Sequence, residues 1–350
     1  MIKKNFFQIA AIIVLMLLLI PLNSSVASAK SNKVTINWAD PSPNKGLRPE
    51  YLVKAAKAVE DATEGRVKIN FFWSQSLVPI KETLPSIKQG LCDAGWVGSA
   101  YNPREFPLTS FASAFLYHPK ARDSSWIVEK TFEMYEKSVE LRKEIEGFNA
   151  QLWFVFPYAA YPMLSNKKVT KIEDFKGMIV RTSGEYPSKF VEAAGARAES
   201  IPATEIYSAL DKKTVDAAIA DYDYSYRYAL HEVSSYLIDL KVFMNICEGP
   251  VRIDKLNQMT PEDRKVFMDI GREYSLKYAK ALDDSTNDIV EIFMKAGMEK
   301  IDFPDSEREK WAQLPEVKNG PNEWVENEEK RGVPARRVME LWREIANVKN

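Results

Sequence analysis

The longest unbroken pattern in the chain sets the scale of whatever it folds into. From Thr260 to about Met298, the residues Val266, Ile270, Tyr274, Tyr278, Ala281, Ser285, Ile289, Ile292 and Ala296 recur at steps of three or four. That is the period of one face of an α-helix. Thr260-Pro261-Glu262-Asp263 opens it with an N-cap residue, a proline at the first helical position and acids in the first turn. At 1.5 Å per residue such a helix is about 55 Å long. That exceeds one small domain, so the helix is expected to brace two lobes. The alternative for so long a helix is a coiled coil, but the stripe has no leucine and lacks paired flanking charges. The length of 350 residues agrees with two domains or one unusually large one.

Ahead of this helix, strands and helices alternate. Val34–Ala39 reads as a first strand, followed by the loop Asp40-Pro41-Ser42-Pro43-Asn44. Tyr51 to Thr63 has helical spacing and Gly65 ends it. Val67 to Trp73 is a second strand closed by Ser74-Gln75-Ser76, Ile80 to Gln89 a second helix stopped by Gly90, and Cys92 to Val97 a third strand. This β-α-β-α-β order predicts a doubly wound α/β start, with the strand ends at Asp40, Trp73 and Gly98 facing one cleft. Ser124 to Glu146 reads as one long helix and Gln151 to Phe156 as a strand. A second unit repeats the pattern. Asp174–Lys176 leads to a turn at Gly177, a short strand ending on Arg181 and Thr182, and then Ser183-Gly184. Ser200–Ala203 reads as a short strand, Glu205 to Asp211 as a helix and Val215 to Ala220 as a strand. An amphipathic helix over Val333 to Ala346 closes the chain.

Several function classes are disfavoured by composition. Lys and Arg number 48 against 49 Asp and Glu, so nothing points to nucleic acid or an anionic membrane surface. With 14 glycines, a glycine-rich phosphate loop is not indicated. The two histidines, His118 and His231, have no partner at metal-ligand spacing. Asp221 and Asp223 alternate as calcium ligands do, but the rest of a calcium loop is missing. No catalytic or nucleotide-binding signature occurs, so neither a cofactor nor a metal is expected. At the N-terminus, Lys3 and Lys4, the apolar run Ile9 to Leu22 and Ala27-Ser28-Ala29 have the form of an export signal over 1–29. The mature chain is then expected to start at Lys30. No cysteine precedes Cys92, so a lipid anchor is not expected. Export permits a disulfide between Cys92 and Cys247, but both sit in apolar, strand-like contexts where free cysteine is a small core residue.

Two features carry binding chemistry. Arg181 stands at a strand end, where open α/β sheets place ligands, and its planar fork suits a carboxylate; the other reading is a surface residue. The run Asp221–Tyr228 holds two carboxylates and four tyrosines just past a strand end. It reads either as an aromatic, hydrogen-bonding pocket wall or as a helix N-terminus with tyrosines in the core.

Asp174-Phe175-Lys176-Gly177-Met178-Ile179-Val180-Arg181 is followed by Ala194-Gly195-Ala196, Ile201-Pro202, Glu205–Leu210 and Val215-Asp216. Gly65-Arg66-Val67 and Ile87–Asp93 precede it. With these motifs, nearly the whole mature chain resembles the extracytoplasmic solute receptors of TRAP transporters, of the dicarboxylate-binding-protein type. The resemblance implies a two-lobed periplasmic-binding-protein-like fold with hinge strands and a long helix spanning both lobes. Lobe I would comprise 30–157 with 247–284, and lobe II 158–246 with 285–350. It implies a soluble periplasmic receptor, not an enzyme, which binds a solute carboxylate through Arg181 and closes on it. The small organic acid would pass to small and large membrane permease subunits driven by an ion gradient, and the receptor itself would be a monomer.

Two positions depart from the family pattern. Many members carry a second arginine about twenty residues before the first, where this chain has Tyr161; many carry an asparagine where it has Ala220. Loss of a cation and an amide, with Tyr161, Tyr222 and Tyr224 nearby, favours one carboxylate on a more apolar body. The expected solute is a monocarboxylate, aromatic or a 2-oxo or 2-hydroxy acid. Expected ligand contacts are Arg181, Tyr161, Trp73, Tyr222, Tyr158, Asp221, Tyr101, Gln75, Ser183 and Asp40, with Trp96 behind them. A secreted enzyme on a similar scaffold and a sensor docking to a signalling receptor are the competing classes.

Overall fold

A computed structural model describes residues 33–116 and 123–347; the expected export signal, the start at Lys30 and His118 lie outside them. Among the described residues ten strands share one sheet. In chain order they are β1 (Val34–Ala39), β2 (Val67–Phe72), β3 (Ala94–Gly95), β4 (Val97–Gly98), β5 (Ala150–Ser165), β6 (Ile179–Thr182), β7 (Arg197–Ser200), β8 (Ala217–Ile219), β9 (Tyr236–Arg252) and β10 (Glu299–Asp302). Their order across the sheet is β2-β1-β3-β9-β5-β8-β6-β7, and β4 and β10 also pair with β9.

Two parallel sets flank an antiparallel centre. β1 pairs in parallel with β2 and β3 on one side, and β6 in parallel with β7 and β8 on the other. Between them β5 and β9 run antiparallel over nearly their whole length, from Ala150↔Arg252 to Ser165↔Tyr236. The pairing shifts register between Tyr161 and Met163, and Ala160, Lys241 and Phe243 have positive φ there. Such an irregularity bends the crossing strands. This is the α/β, two-lobed architecture of periplasmic binding proteins.

The spanning helix is Pro261–Lys295, about 52 Å long at the α-helical rise. Thr260 caps it by accepting a hydrogen bond from the Asp263 N–H. It packs against the helix Leu47–Ala62 of the first β-α unit, β5, the helix Ser124–Lys137 and the short helix Tyr222–Arg227, so one rod touches both halves of the sheet. A close backbone approach fixes its depth on β5. A Cβ on Gly271 would stand 2.3 Å from the Trp153 carbonyl oxygen, while Trp153 Nε1 donates to the Phe267 carbonyl at 2.8 Å and the Val155 N–H to Ser275 Oγ at 3.0 Å.

Several elements differ from expectation. Ser124–Glu146 is two helices, Ser124–Lys137 and Val139–Glu146, broken at Ser138, whose hydroxyl caps the second. The third strand is split at Trp96 into β3 and β4, and the short strand expected at Ser200–Ala203 lies earlier, as β7. The strand expected at Gln151–Phe156 runs on to Ser165. β10 has no counterpart in the strands read from the sequence, and of β9 only the strand-like context of Cys247 is legible there. Asp221–Tyr228 is a short helix, Tyr222–Arg227, capped by Asp221, which accepts from the Tyr224 N–H. Cys92 and Cys247 are buried free thiols.

Candidate functional site

The C-terminal ends of the parallel strands in both halves converge over the middle of β5 and β9. They enclose a cavity of about 70 Å³. The loop after β1 contributes Pro41 and Ser42, the first turn of the helix Leu47–Ala62 contributes Arg48, and the turn after β4 contributes Ala100 and Tyr101. β5 supplies Tyr158 and Tyr161, β9 supplies Asn245 and Cys247, and the ends of β6 and β8 supply Arg181, Ser183, Ala220 and Asp221. Tyr224 and Tyr228 come from the short helix and its cap.

Arg181 is 4% exposed. Its Nε donates to the Ile201 carbonyl at 2.9 Å and its Nη1 to the Ile219 carbonyl at 3.2 Å. Those two bonds hold the guanidinium plane and leave three of its five N–H groups uncommitted. Among the described residues no carboxylate pairs with it. A buried cation without a counter-ion is unfavourable on its own.

Two other buried arginines stand beside the cavity, both with counter-ions. Arg48 Nη2 meets Asp40 Oδ1 at 2.8 Å and also bonds Ser42 Oγ, while its Nη1 donates to Tyr158 Oη at 3.2 Å. Burial opposes the charge on Arg48, but Asp40, Tyr158 and Tyr278 together outweigh it, so its pKa rises. Arg227 Nε meets Asp223 Oδ2 at 2.8 Å and its Nη1 donates to Ser42 Oγ at 2.6 Å. These bonds tie the loop after β1 to the short helix, with the Leu47 N–H on Asp223 Oδ1 at 3.1 Å and Tyr228 Oη on the Pro41 carbonyl at 3.2 Å. The approach is tight enough that a Cβ on Gly46, at φ +86°, would stand 2.4 Å from Arg227 Cγ.

The remaining wall is phenolic. Tyr158 and Tyr161 stack with centroids 6.2 Å apart, and Tyr224 and Tyr228 at 4.4 Å. Burial raises the pKa of Tyr101, Tyr158, Tyr161 and Tyr224, so each keeps its proton at neutral pH. Burial also pushes the Asp221 carboxyl up, to about 6, against the pull of Arg227.

Of the ten expected contacts, Arg181, Tyr161, Tyr158, Asp221, Tyr101 and Ser183 line this cavity and four do not. Trp73 stacks on Phe71 at 4.9 Å, at the end of the outermost strand β2. Gln75 folds back to accept the Ile80 N–H at 2.8 Å. Asp40 is occupied by Arg48 and by the Ser42 N–H at 2.9 Å. Tyr222 points to a separate cavity of about 380 Å³ and donates to Asp239 at 3.0 Å. The helix explains the last case: Tyr224 and Tyr228, four residues apart, share the face toward the cavity, and Tyr222 falls off it. Arg48, Ser42, Asn245 and Tyr228 line the cavity without having been expected there as contacts. Arg48 sits in the first turn of a helix read as starting at Tyr51, and its only sequence signal is Asp40 eight residues earlier.

The profile of the bacterial extracellular solute-binding proteins, family 7, matches residues 42–317. The chain belongs to this family, that of the TRAP-type solute receptors. A solute-binding protein of Albidiferax ferrireducens is 23% identical over 312 residues, 84% of this chain and 87% of that one. A monocarboxylate 2-oxoacid-binding periplasmic protein of Nostoc sp. is 26% identical over 178 residues, 48% of this chain and 46% of the other. The crystal structure of a TRAP solute-binding protein from Rhodoferax ferrireducens, in complex with copurified benzoate, superposes with a TM-score of 0.79 at 15% identity. That superposition covers 90% of this chain and 98% of the other. Among the described residues no helix is long and apolar enough to cross a membrane.

Proposed function

We propose that this protein is a periplasmic receptor that captures an organic monocarboxylate, aromatic or a 2-oxo or 2-hydroxy acid. Two lobes, 30–157 with 247–284 and 158–246 with 285–350, close on the solute by bending of the crossing strands. The receptor then hands it, as a monomer, to the small and large membrane subunits of an ion-gradient-driven TRAP permease. The observation that carries this reading is Arg181, buried in the cavity wall with three free donors and no carboxylate of its own among the described residues. One unpaired cation suits one carboxylate. The phenols around it suit an apolar or aromatic body, and Tyr161 stands where a second arginine would favour a dicarboxylate. The 2-oxoacid-binding relative and the benzoate complex lend support, since each solute carries a single carboxylate.

Calorimetry on Arg181→Ala tests the anchor, with benzoate and pyruvate as probes. Leaving a desolvated carboxylate unpaired costs about 2–5 kcal/mol, a loss of roughly thirtyfold to several thousandfold in affinity. Affinity equal to that of the unaltered protein removes Arg181 from this role.

A further inference from the structure

Away from Arg181, the cavity wall presents one donor that lacks an acceptor and one acceptor that lacks a donor. Tyr158 is 7% exposed. Its oxygen accepts from Arg48 Nη1 at 3.2 Å and from Trp96 Nε1 at 3.0 Å. Those bonds use both phenol lone pairs, so only the hydroxyl proton is left to offer. Among the described residues that proton has no acceptor. Asp221 spends Oδ1 on the Tyr224 N–H at 2.8 Å; its Oδ2 receives no hydrogen bond and meets no cation at ion-pair distance among the described residues. Both side chains line the cavity that Arg181 enters, and both also form part of the wall of the adjoining cavity that Tyr222 faces.

Among the groups a solute could carry, a hydroxyl satisfies both, accepting from the phenol and donating to the carboxylate. A ketone would take the Tyr158 proton but set its oxygen lone pairs against the Asp221 carboxylate. An ammonium would satisfy Asp221 but offers nothing to the Tyr158 proton, and it would stand near Arg48. A bare hydrocarbon would leave both groups without a partner on the solute.

We propose that the solute carries a hydroxyl group besides its carboxylate, with Tyr158 donating to the hydroxyl oxygen and Asp221 accepting its proton. The assignment rests on the reading of Arg181 as the carboxylate anchor. It narrows the solute from aromatic, 2-oxo or 2-hydroxy monocarboxylates to hydroxylated ones.

Calorimetry on the mature protein with matched acids tests it. Lactate, pyruvate, propanoate and alanine form one series; mandelate, phenylglyoxylate, phenylacetate and phenylglycine form another. In whichever series binds, the hydroxy acid is expected to bind about 10- to 100-fold tighter than the unsubstituted acid, and tighter than the oxo and amino acids. Tyr158→Phe and Asp221→Asn should each bring the ratio of hydroxylated to unsubstituted affinity close to one. Asp221→Asn carries the test if loss of the Tyr158 hydroxyl unfolds the cleft, because an asparagine oxygen still caps the Tyr222–Arg227 helix. An oxo, amino or unsubstituted acid that binds as tightly as the hydroxy acid, with a dependence on Arg181, overturns the hydroxyl proposal and leaves the anchor standing. A ratio that Asp221→Asn leaves unchanged overturns the residue assignment. If no acid of either series binds, the anchor reading fails, and the proposal with it.

Discussion

Arg181 and the pair Arg48 and Arg227 are buried to the same degree, at 4%, 3% and 4% exposed, within one cleft, yet they differ in what surrounds the charge. Arg48 and Arg227 each have an aspartate at 2.8 Å, and both bond Ser42. Arg181 has two backbone carbonyls and, among the described residues, no acid. Carbonyl dipoles fix the direction of a guanidinium without neutralising it, whereas a carboxylate does both. Arg48 and Arg227 are therefore read as cations that build the cleft, and Arg181 as one that the cleft presents.

The largest expected effect breaks this comparison at its structural end. Arg48→Ala or Arg227→Ala strands a buried aspartate and should cost about 3–5 kcal/mol of folding stability, visible as a lower urea midpoint. Arg181→Ala strands only two carbonyls and removes an unpaired charge. Its stability should fall by less than that of Arg48→Ala, by about 1–3 kcal/mol, while solute affinity falls as stated above. If Arg181→Ala destabilises as much as Arg48→Ala, Arg181 is a structural cation and the distinction collapses.

A smaller effect sharpens the comparison from the opposite sign of charge. Glu144 and Glu248 lie near each other with no paired cation among the described residues, where Glu144 Oε2, Glu248 Oε2 and Tyr135 Oη also have no hydrogen-bond partner. Burial lifts the Glu144 carboxyl to about 8, and it lifts Glu248 as well. A folded-state pKa above the unfolded value of 4.5 means that the native state holds the proton more tightly. The Glu144 contribution is then fully present below about pH 4.5, shrinks as pH rises, and is gone above about pH 8. Glu144→Gln, which keeps an oxygen for the Leu108 N–H, should flatten that fall in melting temperature between pH 5 and 8. An unchanged slope would contradict the assignment.

The sequence made the receptive cation legible more readily than the structural ones, for a physical reason. Arg181 is announced by local features, a glycine turn and a short apolar strand that ends on it. Arg48 and Arg227 acquire their roles only when the loop after β1 meets the helix Tyr222–Arg227, and nothing in either segment announces the other. Beyond the strand-like context of Cys247, β9 is hidden in the same way. Lys241, Asn245, Glu248, Gly249 and Pro250 interrupt any apolar alternation, and the strand holds because β5 pairs with it along its length. Trp73 and Gln75 fell outside the cavity because β2 is the edge of the sheet, and strand order is a tertiary fact. The spanning helix was plain from its 3.6-residue period, since a helix of that length needs no partner to be recognised.

The most direct test of Arg181 as the anchor is mass spectrometry of small molecules released by denaturing the purified protein, beside the same preparation of Arg181→Ala. The account predicts an organic acid with a single carboxylate from the unaltered protein and its absence from the variant. A compound without a carboxylate, or the same acid retained by both proteins, would contradict it.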